Sequence, residues 1–372
     1  MASVWSHLST IPDPRCGNAR RHKLLDVLTI ALVASICGSE SCVDFADFAH
    51  DREAMFREFL ELPGGVPSHD TFSRVFRLLD PTAFATCFQS FLNDLGADGA
   101  RVLAIDGKTM RRSFDRAAGR SALHVVTAFA AGARVTVGQV AAGDKESEIM
   151  AARTLLGLFD LTGVLVTGDA LHCQGETARL IDQRGGRWLF TLKANRPLQH
   201  AEVATWFADP KNKPHGEFTS TDGHNGGRIE VRRHVVCHDI GWMLSDRRHP
   251  DEAPMPGLAM IGMVESTVTR AGATTTVRRY YLSSVAMEAP VFAAVVRAHW
   301  RIENSLHWVL DVGFDEDRAR NRRDHGPENL TTLRKLALNL LRTARPEISI
   351  RRKRKRSGWS DEFARSVLGQ MR

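Results

Sequence analysis

The sequence predicts an α/β protein, in which a core with a mixed sheet follows an all-helical N-terminal domain. Three observations lead to this fold class. Residues 1–95 carry apolar residues at helical spacing, and Asp26–Ile36 is apolar on nearly every face. After residue 96, short apolar runs typical of buried strands alternate with helical segments. Residues 196–290 alternate in polarity and are rich in Val, Thr, Arg and Tyr, which favours a β-rich insertion.

Length and composition are those of a globular protein. A chain of 372 residues with 43% hydrophobic and 25% charged residues can bury a sizeable core in one or two domains. None of the six cysteines has the two-residue spacing of a zinc-binding pair, and the chain does not open with a signal-peptide pattern. Because Leu24–Cys37 is also too short to span a bilayer, we expect a reduced cytoplasmic protein that does not enter a membrane.

The positive charge is concentrated near the C-terminus. The formal net charge is +7, and a run of six adjacent cations accounts for most of it. We interpret residues 346–372 as a basic tail that contacts nucleic-acid phosphates, and the alternative is a solvated, disordered tail. The candidate phosphate contacts in this run are Arg351, Arg352, Lys353, Arg354, Lys355 and Arg356.

The N-terminal domain, residues 1–95, contains one segment with the outline of a helix-turn-helix. The break Pro63–Pro67 is followed by Ser68, a favourable N-cap, and by a helix that bears Arg74 and Arg77. This outline suggests DNA binding. The alternative is a helical domain that only packs on the rest of the chain.

The core, residues 96–345, begins after a boundary predicted at Asp94–Gly99. Its predicted elements occur in the order strand, strand, strand, helix, strand, helix, strand. They are listed as Arg101–Ile105, Leu123–Ala130, Val135–Val140, Glu146–Phe159, Gly163–Thr167, Glu176–Arg184 and Trp188–Leu192. This is the order of an RNase H-like fold, in which the first and fourth strands are neighbours in the sheet.

Two aspartates occupy equivalent places at the ends of those strands. Asp106 follows the first strand and Asp169 follows the fourth, so we expect them to lie at adjacent strand ends. Gly107 permits close approach of a ligand or of another part of the backbone. Cations follow Asp106 at Lys108, Arg111 and Arg112. Carboxylates beside cations suit a site that holds a metal and handles phosphate, although a strand-end aspartate can also simply cap a turn.

A third carboxylate lies on a predicted helix, Pro290–Phe314. Glu303 has His299 and His307 four residues away on either side, and Asp311 continues the same spacing. This pattern places the four side chains on one face of a single helix. A further helix is predicted over Glu328–Thr343.

With these residues in place, the chain resembles the DDE transposases of bacterial insertion sequences. It is most similar to the H-repeat-associated, or Rhs-element-associated, family. The blocks that carry the resemblance extend over nearly the whole chain: His22–Leu24, Pro67–Arg74, Ala104–Thr109, Gly168–Gln174 and His299–Trp308. The resemblance implies an RNase H-like catalytic core with a β-insertion before the glutamate helix, and DNA cleavage at element ends followed by strand transfer.

The resemblance also implies a two-metal site. Asp106, Asp169 and Glu303 would hold two Mg²⁺ or Mn²⁺ ions, which are hard cations suited to carboxylate oxygens. Further candidates for phosphate contact or water orientation are Lys108, His172, Lys193, Arg301 and His307. The sequence departs from related transposases around Glu303. They carry a tyrosine and an arginine upstream of the glutamate and a lysine about two turns downstream, whereas here His299 stands four residues before Glu303 and Leu310 seven residues after it.

The implied partner is double-stranded DNA, both element ends and target, bound by a homodimer. Two alternatives keep the fold: a DNA-binding remnant that no longer cuts, and a nuclease used for another purpose. A zinc hydrolase built on His299, Glu303 and His307 is a poor match, because its histidines should be four residues apart with the glutamate directly after the first.

Overall fold

The computed structural model describes residues 4–94, 102–143, 147–224, 228–244 and 255–369. These residues divide into two compact units. Unit 1 comprises Met1–Gly99, Gly107–Ala151 and Ile302–Arg372, and unit 2 comprises Ala100–Asp106 and Ala152–Arg301. The boundary predicted at Asp94–Gly99 lies, apart from its first residue, outside the described residues.

The elements follow the predicted alternation closely. The α-helices are α1 (Val4–Ser9), α2 (Leu24–Cys37), α3 (Cys42–Asp51), α4 (Glu53–Arg57), α5 (His69–Leu78), α6 (Pro81–Asp94), α7 (Glu148–Gly157), α8 (Gly175–Gln183), α9 (Pro197–Ala208), α10 (Ala289–His299), α11 (Trp308–Phe314), α12 (Gly326–Thr343), α13 (Ile350–Trp359) and α14 (Asp361–Leu368). The strands are β1 (Val102–Thr109), β2 (His124–Ala130), β3 (Val135–Ala142), β4 (Leu165–Gly168), β5 (Arg187–Leu192), β6 (Gly216–His224), β7 (Arg228–Cys237), β8 (Met260–Arg270) and β9 (Ala273–Ser283).

The core of unit 1 is organised around α2. Nearly every residue of this helix is buried, as its continuous apolar character predicts, and it packs against α12 and α13. It ends at Gly38, whose φ of 118° is in the left-handed region that glycine adopts without strain. Among the described residues, no single helix is long and apolar enough to cross a membrane; α2 and α3 together meet that test by length and composition, but they are bent by 92°.

The sheet of unit 1 ends in a hairpin. Strands β2 and β3 are antiparallel, as predicted, and β2 neighbours β1. Helix α12 covers β3, and its buried polar side chains bond to the hairpin. Asn339 donates to the carbonyl of Thr136 at 2.8 Å, and Lys335 donates to Gln139 at 2.7 Å. These bonds fix α12 on the sheet.

In unit 2 the strands follow the order β1-β4-β5-β9-β8-β7-β6. Strands β1 and β4 are parallel, with Val102 opposite Leu165 and Ala104 opposite Thr167. The prediction that the first and fourth core strands are neighbours is therefore confirmed. The connection between them contains α7, as expected for a parallel crossover.

The region predicted as a separate β-rich insertion continues the same sheet. Strand β9 pairs antiparallel with β5, and β8, β7 and β6 follow by antiparallel pairing. Helix α9, which the sequence analysis did not identify, precedes them, and α10 packs on β6 and β7. The alternating pattern predicted the strands correctly. It could not show which edge they join, because pairing partners are not encoded in local periodicity.

The helix-turn-helix interpretation of the N-terminal domain is not supported. Helix α4 ends at Arg57 and α5 begins at His69, a longer connection than the three or four residues of that motif. Ser68 occupies the predicted N-cap position, but its side chain makes no capping hydrogen bond. The apolar face of α5 is buried, including Phe72, Val75 and Phe76. The geometry is that of a packing helix.

The C-terminal basic run is not a tail. It forms α13, which packs on α2. Lys353 is buried and donates to the carbonyls of Leu341 and Ala344 at 2.7 and 2.6 Å. Arg354 is buried as well and donates to the carbonyl of Ser35 at 3.1 Å. These two cations are satisfied by backbone carbonyls, so the prediction that they contact DNA is wrong. Arg351, Arg352, Lys355 and Arg356 are exposed, and their phosphate contacts stay a prediction.

Candidate active site

In unit 2, two aspartates lie at neighbouring strand ends. Asp106 follows the buried residues Leu103–Ile105 in β1, and Asp169 directly follows β4. Extending the parallel register two residues beyond the pair Ala104 and Thr167 brings Asp106 and Asp169 to the same level. Because adjacent strands lie about 4.8 Å apart, two carboxylates at one level can share a ligand. Both residues are partly exposed.

The orientation of Asp169 is set by local backbone. Its Oδ1 accepts the N–H of Leu171 at 2.9 Å, and the backbone of Asp169 is extended. Asp169 therefore caps the short 3-10 turn Ala170–His172 while keeping the direction of the strand. Gly168, just before it, permits a close approach, since a Cβ there would lie 3.0 Å from the Cβ of His172 and 3.2 Å from the ring of Phe190.

Two imidazoles lie beside this strand end, one of them buried and the other half-buried. His172 is fully buried, so the prediction that it contacts phosphate does not fit the structure. His299, at the end of α10, hydrogen bonds through Nδ1 to the hydroxyl of Thr167 at 3.1 Å. Burial lowers the pKa of His299 to about 4, although Asp169 opposes that shift. His299 is therefore neutral at physiological pH and adds no positive charge beside Asp169.

Two cations predicted to contact phosphate also belong to unit 2. Lys193 is exposed immediately after β5, the strand next to β4. Arg301 is partly buried after the end of α10. The assignment of both residues as phosphate contacts stays a prediction.

In unit 1, Glu303 lies on a π-helix rather than on a continuous α-helix. The predicted helix Pro290–Phe314 is interrupted: α10 ends at His299, residues Ile302–His307 form a π-helix, and α11 follows. The prediction of one helix with a shared face is therefore wrong. The guanidinium of Arg342, on α12, donates to the carbonyl of Ser305 within the π-helix. This contact satisfies a carbonyl in a segment whose hydrogen-bond pattern differs from that of an α-helix.

His307 holds the carboxylate of Glu303. Its Nδ1 lies 2.9 Å from Oε2 of Glu303, and the imidazole is buried while Glu303 is exposed. The hydrogen bond from His307 lowers the pKa of Glu303, and the charge of Lys108 contributes in the same direction. Glu303 is therefore ionised and oriented. His307 was predicted as a phosphate contact. Its Nδ1 is engaged by this bond, and the phosphate contact stays a prediction.

Lys108 is engaged by two carboxylates of unit 1. Its ammonium pairs with Asp311 of α11 and lies 3.2 Å from Glu316, while Thr331 donates to the other oxygen of Glu316 at 2.7 Å. We call Lys108, Asp311, Glu316 and Thr331 the Lys108 cluster. Burial acts to lower the pKa of Lys108, but Glu316 and Asp311 outweigh it and raise that pKa. Lys108 was predicted to contact phosphate. In the structure its ammonium pairs with Asp311 and Glu316, and the phosphate contact stays a prediction.

The sequence did not predict this cluster. Asp311 was noted for its spacing, but Glu316 carried no local signal, because a glutamate in a polar segment is ordinarily exposed. Arg111 and Arg112 are exposed after β1, and their phosphate contacts stay predictions.

Comparisons with known proteins place these residues in a family. A model described as "Transposase DDE domain" matches residues 74–340, and one described as "DDE_Tnp_1-associated" matches residues 5–92. The chain belongs to the H repeat-associated family of DDE transposases. "H repeat-associated putative transposase YhhI" of Escherichia coli K12 is 32% identical over 99% of this chain and 98% of its own length. "Putative transposase YncI" of E. coli O157:H7 is 33% identical over 98% and 94%. A shorter relative, "Inactive transposase YbfQ" of E. coli K12, is 32% identical over 20% of this chain and 89% of its own length.

Membership of the family decides the fold class and the kind of cofactor. A DDE transposase domain has an RNase H-like core, and it uses divalent metal. Asp106, Asp169 and Glu303 all fall within the matched residues. The side chains available to bind a metal are ionised or partly exposed carboxylates, and none of the three is a thiol. This donor set fits a hard divalent cation such as Mg²⁺ or Mn²⁺.

Proposed function

We propose that the protein is a transposase of a bacterial insertion sequence. In this proposal it hydrolyses a DNA phosphodiester at each element end and then joins the freed 3′-hydroxyl to target DNA. Asp106, Asp169 and Glu303 are the proposed catalytic and metal-binding residues. The observation that carries the proposal is the parallel pairing of β1 and β4, which puts two aspartates at one level of neighbouring strand ends in a chain of the DDE family.

The bound divalent metal, proposed as two Mg²⁺ or Mn²⁺ ions, would neutralise the phosphate and lower the pKa of an attacking water. The chain's own residues prepare the carboxylates. The backbone N–H of Leu171 orients Asp169, and His307 orients Glu303 and keeps it ionised at neutral pH. Neutral His299 leaves the negative charge of Asp169 available. The mechanism assigns no covalent nucleophile to the protein, because water and the DNA 3′-hydroxyl are the attacking groups.

The test replaces Asp106 by Asn, which keeps the side-chain shape and removes the charge. The matched control is Asp209→Asn, at the exposed C-terminus of α9. We expect D106N to bind Mn²⁺ more weakly in calorimetric titration without DNA. Cleavage of an element-end duplex should fall about 1000-fold, as expected if several kcal/mol of charge stabilisation are lost. D209N should behave as the wild-type protein.

The alternatives give different results in the same assay. A wild-type protein that binds the element end but cleaves nothing with Mg²⁺ or Mn²⁺ would be a DNA-binding remnant. Cleavage of any duplex without strand transfer would indicate a nuclease of the same fold. Normal cleavage by D106N would show that Asp106 is structural. Because its substrate is chromosomal DNA, we place the protein in the bacterial cytoplasm on the nucleoid, acting as a homodimer on paired ends.

A further inference from the structure

One face of the outer sheet in unit 2 forms an arginine-lined groove. Its volume is about 460 Å³, and it lies on strands β7, β8 and β9. Side chains alternate between the two faces of a strand, so the residues of these strands that line the groove are spaced by two. The three arginines that line it are Arg228, Arg270 and Arg279. We call this surface the arginine groove.

The pairing register brings these cations onto one face. Arg270 is opposite Ala273, and Arg279 is opposite Val264. One residue beyond the pair Ile229 and Thr269, the same register puts Arg228 opposite Arg270. Like charges directly opposite each other on neighbouring strands destabilise a sheet. This juxtaposition therefore favours binding of an anion.

Among the described residues that line the groove, one side chain is acidic, and it is already engaged. Glu230 accepts from Arg228 at 3.1 Å and from Ser266 at 2.6 Å, and it pairs with Arg232 at 2.9 Å. Within the part of the chain that the structure describes, no carboxylate lies within ion-pair distance of Arg270 or Arg279. The guanidinium of Arg279 instead lies 5.9 Å from the ring centre of Trp300. The groove therefore carries surplus positive charge.

The opposite face of the same strands is different. There, Arg233 forms a bidentate pair with Glu217 at 2.6 and 2.7 Å, and Arg278 pairs with Glu265 at 2.6 Å. Arg278 and Arg279 are adjacent in β9, yet one is neutralised and the other is not. Since both faces belong to the same strands, the difference reflects the positions of the acidic residues. Of the two faces of these strands, the groove face is the one with arginines that no carboxylate of the described residues neutralises.

We infer that the arginine groove binds the sugar-phosphate backbone of duplex DNA, with Arg270 and Arg279 contacting phosphates. This inference rests on the proposed function, because it assigns a surface to the same DNA substrate. Arg270 is paired with Ala273, and Arg279 lies six positions further along β9. Six positions correspond to about 20 Å along a strand. That length equals the axial rise of about six base pairs of duplex. The two guanidiniums can therefore contact phosphates separated by about half a helical turn.

The experiment measures duplex binding by fluorescence anisotropy between 50 and 300 mM salt, with EDTA present so that no cleavage occurs. The test variant is R270A/R279A and the matched control is R233A/R278A, which removes the same formal charge from the opposite face of the same sheet. Each lost phosphate contact lowers the slope of log affinity against log salt by about 0.9. We therefore expect the test variant to lose about 1.8 from the slope, and the control to change little. R270K/R279K, which keeps the charge, should retain most of the slope.

Each outcome decides the inference. An unchanged slope for R270A/R279A, or an equal fall in R233A/R278A, overturns it while leaving the proposed function intact. A wild-type protein that binds no duplex overturns both. Circular dichroism checks that the double variant is folded; if it is not, the single variants R270A and R279A replace it, each expected to lose about 0.9. Competition by an acidic polypeptide but not by duplex would assign the groove to a protein partner and overturn the DNA assignment.

Discussion

Replacing Lys108 by Met should destabilise unit 1 strongly. The side chain of Lys108 is 13% exposed and that of Glu316 is 0% exposed, so the substitution leaves a buried carboxylate without its nearest cation. Breaking one partner of a buried ion pair typically costs about 3–5 kcal/mol. Thr331 still donates to Glu316, and the charges of Arg334 and Lys335 still act on it, so we expect the lower end, about 3 kcal/mol.

The pH dependence gives this prediction a second signature. Burial acts to raise the pKa of Glu316, but Lys108 and the neighbouring cations outweigh it, so that pKa is below its ordinary value. A lowered folded-state pKa contributes stability that is fully present above the unfolded value of about 4.3, and this stability is lost as pH falls through the folded value. Without Lys108, protonation of Glu316 becomes easier. The difference in stability between wild type and K108M should therefore shrink from pH 7 to pH 4.

The assay is amide hydrogen exchange of β1 and α12, read by mass spectrometry, which reports the local stability of these elements. A loss of about 3 kcal/mol corresponds to a fall in protection of about 100-fold. E316Q in the K108M background removes the unpaired charge and should restore part of the protection. A loss below about 1 kcal/mol, or no rescue by E316Q, would refute the reasoning that the buried charge pair determines the effect.

Two further substitutions test close packing and the corrected C-terminal segment. Gly107→Ala should destabilise the protein by about 1–3 kcal/mol, because the new Cβ would lie 2.5 Å from Nε2 of His124 and 2.5 Å from Glu148. The control is Gly132→Ala, where a new Cβ would have no atom within 4 Å. An unchanged urea midpoint for Gly107→Ala would refute this prediction. Lys353→Met should lower the stability of the protein by about 2 kcal/mol, because it removes charged hydrogen bonds to two carbonyls. The control, Lys355→Met, changes an exposed residue and should cost less than about 0.5 kcal/mol. Equal urea midpoints for the two variants would contradict the burial of Lys353.

The sequence predicted those features that are encoded locally. The strand ends at Asp106 and Asp169 follow short apolar runs, and the order of elements implied that the two strands are neighbours, as the structure confirms. The buried helix α2 was also evident, because a helix that is apolar on every face has no solvent-exposed side. Each of these predictions needs only neighbouring residues or the order of elements along the chain.

Features that depend on distant partners were not predictable. The periodicity of residues 290–314 fits one helix, and the π-helix around Glu303 is accompanied by a contact from Arg342 on α12. A run of arginine and lysine is compatible with a helix or with a disordered tail. Its buried face is defined by distant contacts, such as the hydrogen bond from Arg354 to the carbonyl of Ser35. The carboxylate of Glu316 is buried because Lys108 balances its charge and Thr331 donates a hydrogen bond to it. Neither residue is near Glu316 in sequence.

The division of unit 1 into three separated stretches of chain affects its synthesis. Helix α2 is made early, but α12, which covers it, begins about 290 residues later. At about 5–20 residues per second, the ribosome needs about 15–60 s to reach that helix. During this interval α2 can pack against α1, α3 and α5, but the side that α12 and α13 cover stays without its partners. A fragment that stops before residue 302 would lack α12 and α13, so this side of an almost wholly apolar helix would stay uncovered.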